Sequence, residues 1–349
     1  MLPVLRFERL ELNFAQWQHT LSKFGDRAIF QTPAWLQFLA GTQKGELVLA
    51  GLHDDRRVVG YFTGLIVNRL GIRVLGSPFP GWTTEHMGLN LADGVPRQAA
   101  MKALLPFAFE KLRCLHLEVV DRKLLREDVS NAGLTFRFAR EFELALNRSD
   151  DELFAQMEPA CRRNVRKALR CGVSVEEAHD VSFADEFYAQ LRDVFHRQRL
   201  VPTYNISRVR ELIKYLLPTG TLLLLRARNS EGRCIATGIY LAMNELMYFW
   251  GGASWRTQQI LRPNELLMWH AIKYWKARGI TTFAMGGGGR YKQKFGAREI
   301  FVPRLVVSQY PLLSRLRDAA RFAVKARQHC WGWTQVQPLA TLESSLSAK

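Results

Sequence analysis

The chain has 349 residues, of which 48% are hydrophobic, so it can bury a large core and exceeds the usual size of one domain. Its formal net charge of +17 and pI near 10.0 favour phosphate-bearing partners such as a nucleotide, a tRNA or an anionic lipid head group. Five scattered cysteines without a CxxC pair argue against a disulfide framework. There is no signal-peptide core and no apolar run of about 20 residues, so the sequence predicts a cytoplasmic protein, with peripheral contact to the inner membrane left open.

Residues 12–119 predict helices followed by the strands of a mixed sheet. Two helices are expected within residues 12–40, where Thr32-Pro33 is a cap followed by a first-turn proline. Gly76 to Gly88 is predicted to be an irregular loop rich in Gly, Pro and Trp. The regular elements predicted around that loop are strands Glu46–Leu52, Arg57–Val67 and Ile72–Leu75, helix Pro96–Leu112 and strand Leu115–Val119.

The clearest pattern in the chain is a β-β-α-β unit in its second half. Two apolar strands, Ile235–Met243 and Leu246–Gly252, flank a polar turn, and helix Pro263–Arg278 and strand Thr281–Met285 follow. Gly279 supplies the positive-φ stop that ends the helix. The elements predicted on either side of the unit are helices Glu158–Cys171, Phe183–Gln198 and Ser207–Leu217 and strands Val173–Glu176, Thr221–Arg228 and Val302–Ser308.

The two halves of the chain repeat one order of elements. Gly45-Glu46-Leu47-Val48-Leu49 resembles Gly220-Thr221-Leu222-Leu223-Leu224, and a polar turn and a second strand follow each segment. The helices that begin at Pro96 and Pro263 then correspond, and each leads directly into a strand. The predicted fold class is therefore α/β (α+β), with two copies of a mixed sheet flanked by helices. The expected domains are residues 1–146 and 147–310, followed by a basic amphipathic helix and loose tail over 311–349.

The strand pair and the helix after it suggest a place where an activated acyl group can dock. If neighbouring strands splay, their free backbone groups can pair with an extended pantetheine or aminoacyl arm. The helix N-terminus near Asn264 points a positive dipole at a phosphate, and Arg256 and Arg262 on the preceding loop can add charge-assisted bonds. The alternative interpretation is an ordinary packed sheet with surface arginines.

Five stretches of the second half carry a family resemblance. They are Arg163-Asn164-Val165-Arg166-Lys167-Ala168 with Gly172-Val173, Tyr248-Phe249-Trp250-Gly251-Gly252-Ala253-Ser254, Asn264-Glu265-Leu266-Leu267, Gly279-Ile280 and Tyr291-Lys292-Gln293-Lys294-Phe295-Gly296. Together they resemble the FemAB-type branch of the GNAT acyltransferase superfamily, in particular members with a BioF2-like acetyltransferase domain. The resemblance implies tandem GNAT-like domains, with the donor bound by the second. It also implies acyl-CoA or aminoacyl-tRNA as co-substrate and no permanently bound cofactor.

One departure from the family pattern bears on the donor. The GNAT pyrophosphate loop, Gln/Arg-x-x-Gly-x-Gly/Ala, is absent between Ser254 and Asn264, which counts against the standard mode of CoA binding. On the resemblance, Lys292 and Lys294 stabilise developing charge, because an unperturbed lysine is protonated at neutral pH and cannot abstract a proton. Replacing Lys294 by Ala is then expected to lower turnover with little loss of folding. The residues expected to bind the donor are Tyr248, Trp250, Arg256, Arg262, Asn264, Arg290 and Phe295.

Other candidate residues are less constrained by pattern. Arg162, Arg163 and Arg166 lie on one basic helix, where a solvated face is the alternative and the resemblance favours contact with phosphate or tRNA. Trp82 and Glu85 are expected to line an acceptor cleft between the domains. No residue identifies itself as a general base, and the candidates are Glu85, His86 and His196. The histidines show no HExxH or CxxC partner, so no metal site is expected.

These observations favour an amide-forming acyltransferase that acts on an amine, with a cell-envelope or exopolysaccharide precursor as the expected acceptor. The first alternative is a FemAB-type aminoacyltransferase that uses aminoacyl-tRNA to extend a peptidoglycan-like precursor. The net charge and the missing pyrophosphate loop favour this alternative. The second alternative is a non-catalytic protein that binds nucleic acid or a membrane surface, against which the lack of a nucleic-acid fold signature counts.

Overall fold

The structure is a computed structural model of the chain. It describes residues 5–11, 13–55, 57–69, 71–125, 128–129, 133–134, 136–287, 289 and 291–313. Arg290 and the tail from residue 314 onward, which includes most of the predicted basic helix, lie outside the described residues. Within the described part, no helix is both long enough and apolar enough to cross a membrane.

The described elements alternate between helices and strands in both halves of the chain. The strands are β1 (Leu5–Leu10), β2 (Glu46–Asp54), β3 (Arg57–Arg69), β4 (Ile72–Ser77), β5 (Leu89–Leu91), β6 (His116–Val120), β7 (Phe136–Ala145), β8 (Ser174–Glu177), β9 (Leu222–Arg228), β10 (Cys234–Met243), β11 (Leu246–Ser254), β12 (Thr282–Gly286) and β13 (Arg298–Ser308). The helices are α1 (Phe14–Leu21), α2 (Pro33–Gln43), α3 (Arg97–Pro106), α4 (Asp150–Gln156), α5 (Pro159–Arg170), α6 (Phe183–Arg197), α7 (Ile206–Leu216) and α8 (Pro263–Lys276).

All described strands belong to one continuous mixed sheet. Its order is β1-β2-β3-β4-β6-β13-β7-β12-β11-β10-β9-β8, with β5 paired to β3 off this path. We call the elements β1–β6 with α1–α3 the first copy and the elements α4–α8 with β8–β12 the second copy. The strand that follows each copy in sequence pairs with the other copy. Strand β7, which follows the first copy, pairs with β12 of the second, and β13, which follows the second copy, pairs with β6 of the first. This exchange joins the two copies edge to edge through the β7–β13 pair.

The two faces of the sheet are covered differently. On one face, the helices α1 and α2 of the first copy share a single apolar core with α6 and α7 of the second, including Trp35, Phe38, Phe187 and Leu212. On the other face, α3 covers the first copy, whereas α5 and α8 cover the second, each over its own core. Burial of large side chains from both copies in one core makes separation of the copies costly.

Most predicted elements are confirmed, and the differences have identifiable causes. The helix predicted to run to Leu112 changes at Pro106 into a π-helical turn over Phe107–Lys111, because proline lacks the N–H that an α-helix needs. The predicted basic loop before α8 contains a 3₁₀ turn over Arg256–Leu261. The strands β1 and β7 had no counterpart among the sequence predictions, although β7 lies at the junction of the two copies.

Candidate functional site

The parallel strands β11 and β12 separate after a short paired stretch. Their register pairs Leu246 with Thr282, Met247 with Phe283 and Tyr248 with Ala284, and the pairing stops there. Strand β11 continues to Ser254 along β10, with a register shift at Ile239/Tyr240 that leaves Trp250 without an opposing residue. In the described part of the chain, the β12 side of β11 therefore has no strand partner beyond Tyr248. We call this gap the β11–β12 opening.

A cavity of about 260 Å³ lies beside the β11–β12 opening. Apolar side chains from β10, β11 and α8 line it, together with Tyr291 from the segment after β12. Its polar end is formed by Ser254, Gln259 and Asn264. Ser254 Oγ accepts two hydrogen bonds there, one from Asn264 Nδ2 over 3.0 Å and one from Gln259 Nε2 over 3.2 Å. The first turn of α8 lies at this end, so its unpaired N–H groups and positive dipole favour an anionic group there.

A second group of polar side chains collects where the two copies meet. We call it the junction cluster: Glu85, His86, Arg122, Glu141, Tyr248 and Lys292. Glu85 and His86 lie in the Gly76–Gly88 loop, Arg122 follows β6, and Glu141 lies on β7. Tyr248 lies on β11, and Lys292 follows β12. Neither copy therefore builds the cluster alone. Arg122 donates to Glu141 over 3.4 Å and also pairs with Glu143, while His86 Nε2 lies 3.5 Å from the Tyr248 hydroxyl. Of these residues, Arg122 and Glu141 were not among the sequence candidates.

Burial changes the protonation of the junction cluster. It raises the pKa of Glu85 to about 8, with the neighbouring Glu141 adding to the rise and Arg122 and Lys292 opposing it. Burial also lowers the pKa of Lys292, against the pull of the two glutamates, and the pKa of His86 falls well below its usual value. Strongly shifted pKa values gathered in one place are typical of functional sites.

The two predicted lysines have different partners. Lys292 Nζ donates to the backbone carbonyls of Met285 and Gly287 in the junction cluster. Lys294 Nζ instead forms an ion pair of 2.6 Å with Glu265 on α8 and lies 3.9 Å from the centre of the Tyr291 ring. Because Glu265 also accepts a hydrogen bond from Asn164 on α5, Lys294 ties the segment after β12 to two helices.

The residues predicted to bind the donor are scattered around the cavity. Asn264 lines it, whereas Tyr248 and Phe295 are buried in the core and do not line it. Trp250 is half-buried on the other face, where it packs against Tyr204. Arg256 and Arg262 are exposed before α8, with Arg262 at the N-cap in the left-handed region.

The remaining predicted residues lie elsewhere. Arg162 donates to the carbonyls of Ala155 and Met157, Arg163 is exposed, and Arg166 lies over the Phe154 ring. These three do not converge on the cavity in the described structure. Trp82 is buried, and its carbonyl accepts a hydrogen bond from Arg208 on α7, so its ring does not line an open cleft. Glu85 reaches the junction cluster. His196 lies in the last turn of α6.

A larger cavity of about 760 Å³ lies at the far edge of the first copy. Its lining includes exposed cations of β1 and of the segment after α3. Several of them are already paired: Arg9 and Arg73 contact Glu46, and Arg6 contacts Glu8. This cavity is larger, but it is the weaker candidate for the functional site. Its described lining residues include no buried group without a partner, and they do not border a strand opening.

Comparison with known proteins identifies a family match in the second copy. The model of the acetyltransferase (GNAT) domain family matches residues 157–293, the stretch that contains β11, α8 and β12. Residues 157–293 form a GNAT domain. The match ends just before Lys294, and it includes the whole lining of the 260 Å³ cavity. No curated protein matches the chain.

Solved structures with the same fold extend over both copies. The crystal structure of FemX is 14% identical, covers 88% of this chain and 99% of its own, and has a TM-score of 0.70. A tandem GNAT protein from the clavulanic acid biosynthesis pathway is 14% identical with the same coverage and a TM-score of 0.55. L-PGS from Bacillus licheniformis is 10% identical, covers 92% and 100%, and has a TM-score of 0.56. The predicted tandem GNAT-like fold class is thus confirmed.

Proposed function

We propose that the chain transfers an acyl group from an activated donor, bound in the second copy, to an amine that enters from the junction of the two copies. The observation that carries this proposal is the β11–β12 opening, which lies beside a cavity ending at the N-terminus of α8. An extended acyl arm can pair with the free edge of β11. Its phosphates would then lie at the helix N-terminus, with Arg256 and Arg262 nearby.

The reaction class follows from what the site contains. On the β12 side, the part of β11 beyond Tyr248 has no strand partner among the described residues, so backbone N–H groups there can stabilise the oxyanion that forms when an amine attacks the donor carbonyl. Direct transfer requires no nucleophilic side chain, and the described Cys161 and Cys234 have pKa values raised by burial, which makes them poor nucleophiles. Family resemblance supports an amine on a cell-envelope or exopolysaccharide precursor as the acceptor.

The donor is acyl-CoA in our leading proposal, as in GNAT enzymes generally, and aminoacyl-tRNA is the alternative. The absence of a glycine-rich pyrophosphate loop before α8 favours the alternative. Acetyl-CoA and alanyl-tRNA can be compared directly by thermal shift of the full chain, because a ligand that binds only the folded state raises the melting temperature. A steep loss of affinity with added salt would indicate tRNA, since many phosphates would be neutralised.

Two adjacent glycines of β11 provide a matched test of the donor site. A Cβ on Gly252 would lie 3.1 Å from the Phe249 ring in the cavity, whereas a Cβ on Gly251 would meet Phe187 on the opposite face at an ordinary 3.4 Å. We expect Gly252→Val to weaken acetyl-CoA binding at least about tenfold in titration calorimetry, because it fills the cavity. Gly251→Ala should leave the affinity within about twofold. Equal affinities in wild type and Gly252→Val would refute the assigned donor site.

A further inference from the structure

The junction cluster, together with Glu143 on β7, contains more carboxylates than it can pair. Glu141 and Glu143 both contact Arg122, and Glu143 contacts Arg298 over 2.8 Å as well. The second cation, Lys292, donates to the carbonyls of Met285 and Gly287. Each cation that lies against the third carboxylate, Glu85, thus has other partners.

Glu85 is the carboxylate that keeps an unpartnered oxygen in the described part of the chain. Within the described residues it forms no ion pair, and its Oε2 atom is buried with no hydrogen-bond partner. A buried carboxylate oxygen without a hydrogen-bond partner lowers the stability of the folded state. A residue with a purely structural role has no reason to keep such an oxygen. Such an exception is expected where a group must remain free to react.

Glu85 is also placed at the β11–β12 opening. A Cβ on Gly286 would lie 2.8 Å from Glu85 Oε1, and Gly286 follows Ala284, the last residue of β12 that pairs with β11, by two positions. Across the opening, the last paired residue of β11 is Tyr248, whose hydroxyl faces His86. The Glu85 carboxylate therefore lies where the strands separate, the position that the proposed function assigns to the acyl carbonyl.

We infer that Glu85 is the general base that takes the proton from the attacking amine, an inference that rests on the proposed function. The amine lone pair forms the new C–N bond, and the bond from the carbonyl carbon to the donor sulfur or oxygen breaks with its electron pair. The proton on nitrogen passes to the Glu85 carboxylate and then to the departing thiolate or alkoxide. The net products are an amide and a free thiol or hydroxyl, so no oxidant or further reactant is needed.

The charges around Glu85 suit this role. Glu141 from β7 disfavours its ionised form, while Arg122 after β6 and Lys292 after β12 favour it, and burial dominates the balance. A base whose pKa lies near the working pH combines a useful ionised fraction with a strong tendency to accept a proton. His86 is the rival base, but burial, Arg122 and Lys123 all disfavour its charged form, and aromatic rings of Phe30 and Tyr248 enclose it.

The raised pKa also predicts how stability depends on pH. The folded state holds the Glu85 proton up to about pH 8, whereas an unfolded glutamate loses its proton at its ordinary, lower pKa. Between those values the folded state binds more protons, so the contribution of Glu85 to stability falls as pH rises. Glu85→Gln keeps the shape and removes the charge, and it should therefore raise the melting temperature at pH 9.

The test compares wild type, Glu85→Gln, Glu143→Gln and His86→Gln as full chains. The probes are acetyl-CoA or alanyl-tRNA as donor and glucosamine or lysine amide as acceptor. For Glu85→Gln we expect a rate at least about 100-fold lower, an unchanged donor affinity, a higher melting temperature at pH 9 and loss of the rise in rate towards pH 8. Glu143→Gln, which breaks contacts to Arg122 and Arg298, should instead lower the melting temperature.

The outcomes separate the two proposals. A wild type that cleaves neither donor refutes the proposed function, and the melting temperatures still decide whether the Glu85 carboxylate is held at a cost in stability. A wild type that turns over while Glu85→Gln keeps its rate and pH profile overturns the assignment of the base. The same conclusion holds if Glu85→Gln lowers the melting temperature at pH 9, or if only His86→Gln loses the pH dependence.

Discussion

The two copies of the module differ most at their parallel strand pair. In the first copy, β4 and β6 pair from Val74/His116 to Ser77/Val119, which is where β4 ends. In the second copy, β11 continues well past its last pair with β12 and leaves an opening. The same succession of strands thus gives a closed sheet in one copy and a potential ligand site in the other.

Side chains of the first copy fill the space that is empty in the second. The Phe79 ring lies against Gly76 at the end of β4, so closely that a Cβ on Gly76 would overlap it at 2.2 Å. At the start of α3, Arg97 pairs with Asp26 and with Asp121, the latter over 2.6 Å. The corresponding start of α8 has Asn264 facing a cavity. The second copy thus has a cavity at the start of its helix where the first has ion pairs, and the Gly76–Gly88 loop of the first copy contributes Glu85 to the junction cluster.

The largest expected effect comes from removing the ion pairs that fill the first copy. Arg97→Ala leaves the buried Asp121 and the partly buried Asp26 without this cation, which should cost about 4 kcal/mol in the free energy of unfolding measured with urea. Arg97→Lys keeps the charge and should lose less. The affinity of the folded chain for acetyl-CoA should not change, and a parallel loss of affinity in Arg97→Lys would show that the first copy takes part in donor binding.

The second copy has its own buried ion pair, with a somewhat smaller expected effect. Lys294→Met leaves the buried Glu265 without its cation and should cost about 3 kcal/mol in urea unfolding. This differs from the expectation from sequence that Lys294 can be removed with little loss of folding. The double variant Lys294→Met/Glu265→Gln removes both charges and should recover most of the loss. If Lys294→Met alone unfolds at the wild-type midpoint, the pair has no structural role.

The smallest of these effects concerns the ring that closes the first copy. Phe79 packs on Trp82 and stacks on His116, and it is only partly buried. Phe79→Ala should cost about 2 kcal/mol of stability through lost packing. Calorimetry should still find one acetyl-CoA site per chain, because the Arg97 pairs continue to occupy the start of α3. A second site in this variant would mean that Phe79 alone prevents binding.

Periodicity was sufficient to predict the second copy. The strands β10, β11 and β12 and the helix α8 are strongly apolar. A polar turn separates β10 from β11, and Pro263 and Gly279 mark the two ends of α8, so local signals agree with the fold. Strand β7 lacked this agreement, since Arg140, Glu141 and Glu143 interrupt its apolar alternation. Those charges are satisfied by Glu299, Arg122 and Arg298, which are far away in sequence, and no local pattern predicts such partners.

The residues of the candidate site also divide into those that a local feature predicts and those whose role depends on partners distant in sequence. Asn264 was predicted because a helix N-terminus is a local feature, and it does line the cavity. Glu85 and His86 were named only as candidates, because their significance depends on Arg122, Glu141 and Lys292, which the strand exchange brings together. Phe295 illustrates the opposite case: it belongs to a family motif but is fully buried in the core.

We propose that only the second copy binds the donor, at the β11–β12 opening. Hydrogen exchange of the full chain with and without saturating acetyl-CoA tests it most directly, because bound backbone N–H groups exchange more slowly. We expect added protection in residues 249–268, which cover the edge of β11 beyond its pairing with β12 and the start of α8, and no change in residues 72–100. Protection of residues 72–100, with residues 249–268 unchanged, would contradict it.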